Sequence, residues 1–377
     1  MKCFGRAAIS EFLGDQIVFR NLLPFDSRLP GLPELRQKLK FPENFLPRKS
    51  MPEYGAVIAE IVQAARQLTL PKTPIQRVIY VGDTRMNDGQ AFLNICRAAG
   101  WKGIAFIGSD RLEPLKIELE KHNDQTLYIA NRWQAVNKFE TFLAQSNFTI
   151  NEETAVLFDL DKTLLGARGR NDKVIDAKRL RAAEDTLRDA LGSDYNPDLF
   201  QEAYHILNQI EFHPFTADNQ DYLVYICLII SSGLISLPEL TSSIRTGEPS
   251  QFQDFLEYAE ERNGSLTPKV RKIHDSVLAR VQSGDPTPFK SFRHNEFRRT
   301  VEHMGHLADT APVEEMLAEE IVITAEIQTF ANRCKRLGSL LFGLSDKPDE
   351  ATLPPEELKT QGYLPVHRVV THAIGEE

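Results

Sequence analysis

The chain has 377 residues, 42% of them hydrophobic and 26% charged, with a formal net charge of -9. That length accommodates a sizeable core and two domains, and the composition is that of an ordinary globular protein. The net negative charge argues against nucleic acid as the main partner, because a phosphate backbone rewards basic faces, but it leaves room for a small phosphorylated ligand held by local positive charge.

Cys3, Cys96, Cys227 and Cys334 are scattered and form no CxxC pair. They read as free thiols in a reducing compartment, with neither a disulfide framework nor a zinc site. The opening Met-Lys-Cys-Phe-Gly-Arg-Ala-Ala lacks the apolar run of a signal peptide, so a cytoplasmic location is expected. Residues 222–237 are the most apolar stretch, but Ser231, Ser232 and Gly233 interrupt it. A buried helix is expected there and not a membrane span.

In chain order, residues 1–45 are rich in Pro and weakly periodic. An amphipathic helix is predicted to follow, running to about Leu68, with Ser50 and Glu53 as a capping box and Pro52 in its first turn. Lys49 then stands beside the positive end of a helix dipole, a natural place for an anion. Residues 77–82, Arg-Val-Ile-Tyr-Val-Gly, read as a buried strand ending in Asp83-Thr-Arg-Met-Asn-Asp88. Ala91, Phe92, Ile95 and Ala98 mark one face of the next helix, which Gly100 stops. Asp83 at a sheet edge with Asp88 in the following turn suits a hard cation such as magnesium, which binds oxygen; the alternative role for Asp88 is a helix cap.

Strands are predicted at residues 103–107 and 127–130, with helices over about 112–122 and 133–144 and a polar linker over 145–153. Strands alternating with helices predict a doubly wound α/β parallel sheet. Residues 155–165, Ala-Val-Leu-Phe-Asp-Leu-Asp-Lys-Thr-Leu-Leu, form a further apolar run that delivers Asp159, Asp161 and Thr163 to the carboxyl edge, where open α/β sheets bind ligands. The two carboxylates suggest one that attacks or binds metal and one that moves a proton.

From about Val174 to Gly338 the pattern is helical: Leu180, Leu187 and Leu191 mark one helix, Val270, Ile273, Val277 and Val281 another. Ile323, Ile327, Phe330, Cys334 and Leu337 mark the last. A helical domain inserted into the sheet domain is expected. Arg293, Arg298 and Arg299, with His303 and His306, are its densest cationic cluster, either an anionic-substrate pocket or a solvated helix face. Residues 339–344 read as a buried strand that ends in Ser345-Asp-Lys347. His367 and His372 in the tail read as structural or surface residues.

Asp159-Leu-Asp161-Lys-Thr163 after a buried strand, together with Gly82-Asp83-Thr-Arg-Met-Asn-Asp88, resembles the haloacid dehalogenase superfamily of hydrolases. That family also uses a Ser or Thr ending a second strand and a Lys before a helix; Ser345 fits the first, and Lys49, with Lys347 as competitor, the second. The family runs nucleophile, hydroxyl, lysine, metal carboxylates, whereas this chain runs lysine, metal carboxylates, nucleophile, hydroxyl. The resemblance is therefore to a circularly permuted member, a rotation that folds tolerate where termini lie close together. It implies a core at residues 1–166 and 339–377 (Rossmann-like) and a helical cap at 167–338, larger than usual.

For chemistry the resemblance implies a magnesium-dependent phosphatase. Asp159 would attack phosphorus and Asp161 would act as acid and base. Mg2+ would be held by Asp159, Asp83 and Asp88 with the Asp161 carbonyl; Ser345 and Lys49 would bind phosphoryl oxygens, and Thr163 would orient the loop by bonding backbone. The substrate would be a small phosphorylated metabolite. A phosphomutase and a non-catalytic phospho-ligand-binding protein are the alternatives, and in a swapped homodimer Lys49 and Asp83 would act in trans.

Overall fold

Apolar runs without polar alternation need cover on both faces, which the middle of a parallel sheet provides. The computed structural model of the protein describes residues 1–111 and 113–376. Its strands are β1 (Lys2–Ala7), β2 (Ile17–Val18), β3 (Arg77–Gly82), β4 (Lys102–Gly108), β5 (Ile117–His122), β6 (Gln125–Ala130), β7 (Thr154–Asp159), β8 (Ile323–Thr324), β9 (Leu340–Leu344) and β10 (Thr371–Gly375). The fold is mixed α/β. Seven strands form the larger sheet in the order β2-β9-β7-β3-β4-β6-β5, with every neighbouring pair parallel except β5 and β6. β1, β10 and β8 form the smaller sheet.

Side chains alternate between two helical layers along each strand. Val78, Tyr80, Ala155, Leu157 and Phe342 share one core with Val57, Ile61, Phe92 and Ile95 from the helices Pro52–Thr69 and Gln90–Ala99. On the opposite face Phe106, Tyr128 and Phe158 meet Phe139 and Phe330 at ring separations of 5.3 to 6.5 Å. Phe139 lies in the helix Val136–Gln145 and Phe330 in the helix Ala325–Arg336.

By compactness the chain divides into a sheet unit, residues 1–177 and 300–377, and a helical unit, Lys178–Arg299. The helical unit is narrower than the expected 167–338. In particular the helix Ala325–Arg336 packs on the sheet, because it is the crossover that a parallel connection into β9 requires. Ile323, expected in that helix, lies in β8. Inside the helical unit, Phe200, Tyr225, Leu228, Phe255 and Val270 build a separate core. Its helix Gln220–Ser231 is buried on nearly every side. Among the described residues no helix is long and apolar enough to cross a membrane.

Two further expectations are corrected. Residues 117–122 are a strand, not part of a helix: Ile117 and Leu119 alternate with Glu118 and Glu120, and Pro114 precedes them. Leu112, where that helix was expected to begin, lies outside the described residues. The capping box of Ser50 and Glu53 does not form, because Pro52 holds the preceding Met51 extended and so makes Met51 the cap. Residues 1–45, unread from the sequence, supply an edge strand to each sheet.

Helix Pro52–Thr69 lies close against helix Gln90–Ala99: a Cβ on Gly55 would sit 2.4 Å from the backbone of Asn94. Gly55→Ala must push the two helices apart, and overpacking of this kind costs about 1–3 kcal/mol. Urea denaturation is expected to show that loss.

Candidate active site

A helix that precedes a parallel strand starts at the strands' carboxyl edge, which brings Lys49, three residues before Pro52, to that edge. β7 has β3 on one side and β9 on the other, and the register pairs Phe158 with Val81 and Asp159 with Leu344. Asp159, Asp83 and Ser345 therefore end three adjacent strands.

Lys49 is only 4% exposed. Its ammonium donates to Asp159 Oδ1 at 2.5 Å and to Asp88 Oδ1 at 2.9 Å, and lies 3.8 Å from Asp346. Burial works against the charge of Lys49, but the Asp159 and Asp88 carboxylates outweigh it and hold its pKa well above that of an ordinary lysine. The second oxygen of Asp159 accepts the Thr163 hydroxyl at 3.0 Å. Thr163 thus bonds the Asp159 carboxylate, where the expectation was backbone; its own carbonyl accepts the Thr324 hydroxyl. Burial drives Asp159 well above the usual carboxylate range in spite of Lys49, with Asp88 and Asp83 adding repulsion.

Asp88 meets the capping expectation in part. Its Oδ2 accepts the Asp83 and Thr84 amides and the Thr84 hydroxyl at 2.9 to 3.1 Å, closing the turn Arg85–Gly89. Its Oδ1 accepts Lys49 and the Tyr80 phenol. Lys49 and these donors hold Asp88 below the usual carboxylate range although it is buried. Asp83 behaves oppositely: burial and the adjacent Asp88 charge push it up to about 7, only partly offset by Arg168. The Arg168 Nε donates to Asp83 Oδ2.

On the other flank, Ser345 donates to Asp161 Oδ2 at 3.0 Å and accepts the Lys347 amide. The buried Lys347 ammonium lies 3.8 Å from Asp161 Oδ1 and 3.3 Å from the Thr300 hydroxyl. The two lysines thus serve different carboxylates, Lys49 at Asp159 and Lys347 at Asp161.

Asp83, Asp88 and Asp159 each offer an oxygen, and the three atoms lie within 4.8 Å of one another. An all-oxygen set with two carboxylates raised in pKa by burial fits a hard divalent cation such as Mg2+.

The cationic cluster expected to face a substrate is used internally. Arg293 is buried and donates to Asp221 at 2.5 and 2.7 Å and to Glu296 at 2.6 Å. Arg299 pairs with Asp185 at 2.6 Å, with Arg298 at 3.8 Å from the same carboxylate. Arg293 is thus a tie inside the helical unit, because a buried guanidinium must find a carboxylate, whereas Arg298 and Arg299 are partly exposed ion pairs. His372 is buried between Glu320 and Asp309, and His367 is buried near Asp15. Sequence reasoning passed over Arg168, Tyr80, Thr84 and Asp346. Arg168 had a signal, as a cation seven residues past Asp161 in a glycine-punctuated loop; Tyr80 looked like an ordinary strand residue.

Comparison of the chain with protein-family models, curated proteins and solved structures finds no match in any of the three.

Removing one partner of a buried ion pair strands the other charge and costs about 3–5 kcal/mol. Lys49→Met is expected to lose that much in urea denaturation. Asp159→Asn in the same background should recover part of it, since the stranded charge is then gone.

Proposed function

We propose that this protein is a magnesium-dependent phosphatase of the haloacid dehalogenase type, with the order of its motifs rotated. One observation carries the proposal. A lysine, a metal-type carboxylate pair, an Asp-x-Asp and a serine, drawn from separate parts of the chain, converge at the ends of β3, β7 and β9, with Lys49 2.5 Å from Asp159. The β9-β7-β3 order sets the Asp-x-Asp strand between the strands that lead to Ser345 and to Asp83.

In this reaction an oxygen of Asp159 attacks the phosphorus of a phosphate monoester, forming an aspartyl-phosphate while the ester P–O bond breaks. Asp161 gives its proton to the departing oxygen. It then takes a proton from the water that attacks the same phosphorus, which frees phosphate and restores Asp159. Ser345, Lys49 and Lys347 are the donors at this edge that would hold phosphoryl oxygens, by exchanging their present bonds to Asp161, to Asp159 and Asp88, and to Thr300 for the substrate. Thr163 fixes the rotamer of Asp159. Mg2+, held by Asp83, Asp88 and Asp159, would let anionic substrate and anionic nucleophile approach by neutralising charge on both. The presence of an acid at 161 favours phosphate esters over carbon-halogen bonds.

Phosphate release from p-nitrophenyl phosphate and a panel of small phosphate monoesters is the test. Release should require Mg2+ and disappear in Asp159→Asn, while Asp161→Asn should lose about 10²–10⁴-fold, the range for a general acid. Release that persists in Asp159→Asn, or that ignores chelation of the metal, contradicts the proposal.

A further inference from the structure

Arg168 pairs with Asp83 at the candidate site but has no part in the chemistry above. Its backbone is held on several sides: its amide donates to Lys162, and its carbonyl accepts from the Asp110 amide and the Trp133 indole. Gly169 beside it has φ +79°, and a Cβ there would strike the Asp110 carbonyl. The loop is therefore fixed. The side chain is the movable part, with 38% of it exposed against 6% of the Asp83 side chain that it pairs with.

The pairing uses only Nε of Arg168 and Oδ2 of Asp83. A guanidinium has five N–H donors in a planar fork, so its terminal nitrogens remain for a second acceptor. Charge sets the sequence of events. Asp83, Asp88 and Asp159 with Lys49 carry a net -2 when all are ionised, which one divalent cation cancels. Until that cation arrives, Arg168 partly neutralises Asp83; once it has arrived, the cation takes over Asp83 and leaves the arginine with the weaker pull of Asp172. A phosphate dianion beside the cation is then the natural acceptor for its fork.

We propose that Arg168 is an internal counter-ion that competes with the metal for Asp83 and, once displaced, binds the phosphoryl group of the substrate. Metal binding and substrate binding are thereby coupled through one side chain. The inference rests on the site being a magnesium-dependent phosphatase, and it goes beyond that by naming a residue outside the motifs and a reason for ordered binding.

The test measures Mg2+ binding directly by calorimetry with MgCl2 alone, and KM for p-nitrophenyl phosphate at saturating Mg2+. The proteins are the wild type, Arg168→Gln, Arg168→Lys and Arg85→Gln. Arg85 is two residues from Asp83 and pairs with Glu120 at 2.9 Å, so its replacement reports what loss of a nearby charge does by itself. Arg168→Gln is expected to bind Mg2+ more tightly than Arg85→Gln does. Its KM should rise by about 10- to 100-fold, the loss expected for a hydrogen bond to a charged group. Arg168→Lys, which keeps the charge without the fork, should fall between it and the wild type in KM.

Opposite changes in the two affinities are what a displaced counter-ion produces. Weakening of both would make Arg168 a structural prop and overturn the inference, as would a KM equal to that of wild type. A wild type that binds no Mg2+ and releases no phosphate removes the phosphatase itself, a different result from a wild type that does both while Arg168→Gln behaves like it.

Discussion

A lysine buried with two aspartates is the constraint on which the rest of this site depends. Asp159 and Asp88 are each no more than 5% exposed, and carboxylates so far from water are pushed toward the neutral form unless a cation lies against them, which suffices for Asp88 and only partly for Asp159. Lys49 is that cation, and its position is set by a helix that starts where the parallel strands end. The strand order then decides what else gathers: β3 and β9 are the immediate neighbours of β7, so the residues that follow them, Asp83 and Ser345, cannot avoid the end of β7.

The same logic separates the two flanks of the site. Asp159 is matched by Lys49 and steadied by Thr163, whereas Asp161 is matched by Lys347 and Ser345. Carboxylates with different tasks need different surroundings, and these two have different cations and different hydroxyls. Asp83, like Asp159, is raised by burial, and it is countered only by a half-exposed arginine. That imbalance is what makes it the natural entry point for a cation.

The elements that proved legible in the sequence were those whose pattern is forced by burial. β3, β7 and β9 carry apolar runs because helices cover both of their faces, and the acids and hydroxyl that follow stood out against that background. What escaped depended on distant partners. β1 pairs with β10 at the other end of the chain and β2 is only two residues long, so neither had a local pattern to show. The period-two alternation in β5 was outweighed by a helical pattern through Leu112 and Leu115. Arg293 looked like a ligand-binding cation because sequence cannot show that Asp221, 72 residues away, already holds it. The helix Ala325–Arg336 had the right period, but its unit was set by Phe330 packing on Phe139 and Phe158.

The most direct measurement of the central claim needs no substrate. Beryllium trifluoride bonds to a nucleophilic carboxylate as a mimic of its phosphorylated form, so thermal unfolding can be followed with MgCl2, beryllium fluoride, or both. If Asp159 is a nucleophile beside a magnesium site, the two together should raise the melting temperature of the wild type well beyond the sum of either alone. Asp159→Asn should show no such synergy. An equal synergy in Asp159→Asn, or none in the folded wild type, would contradict the account.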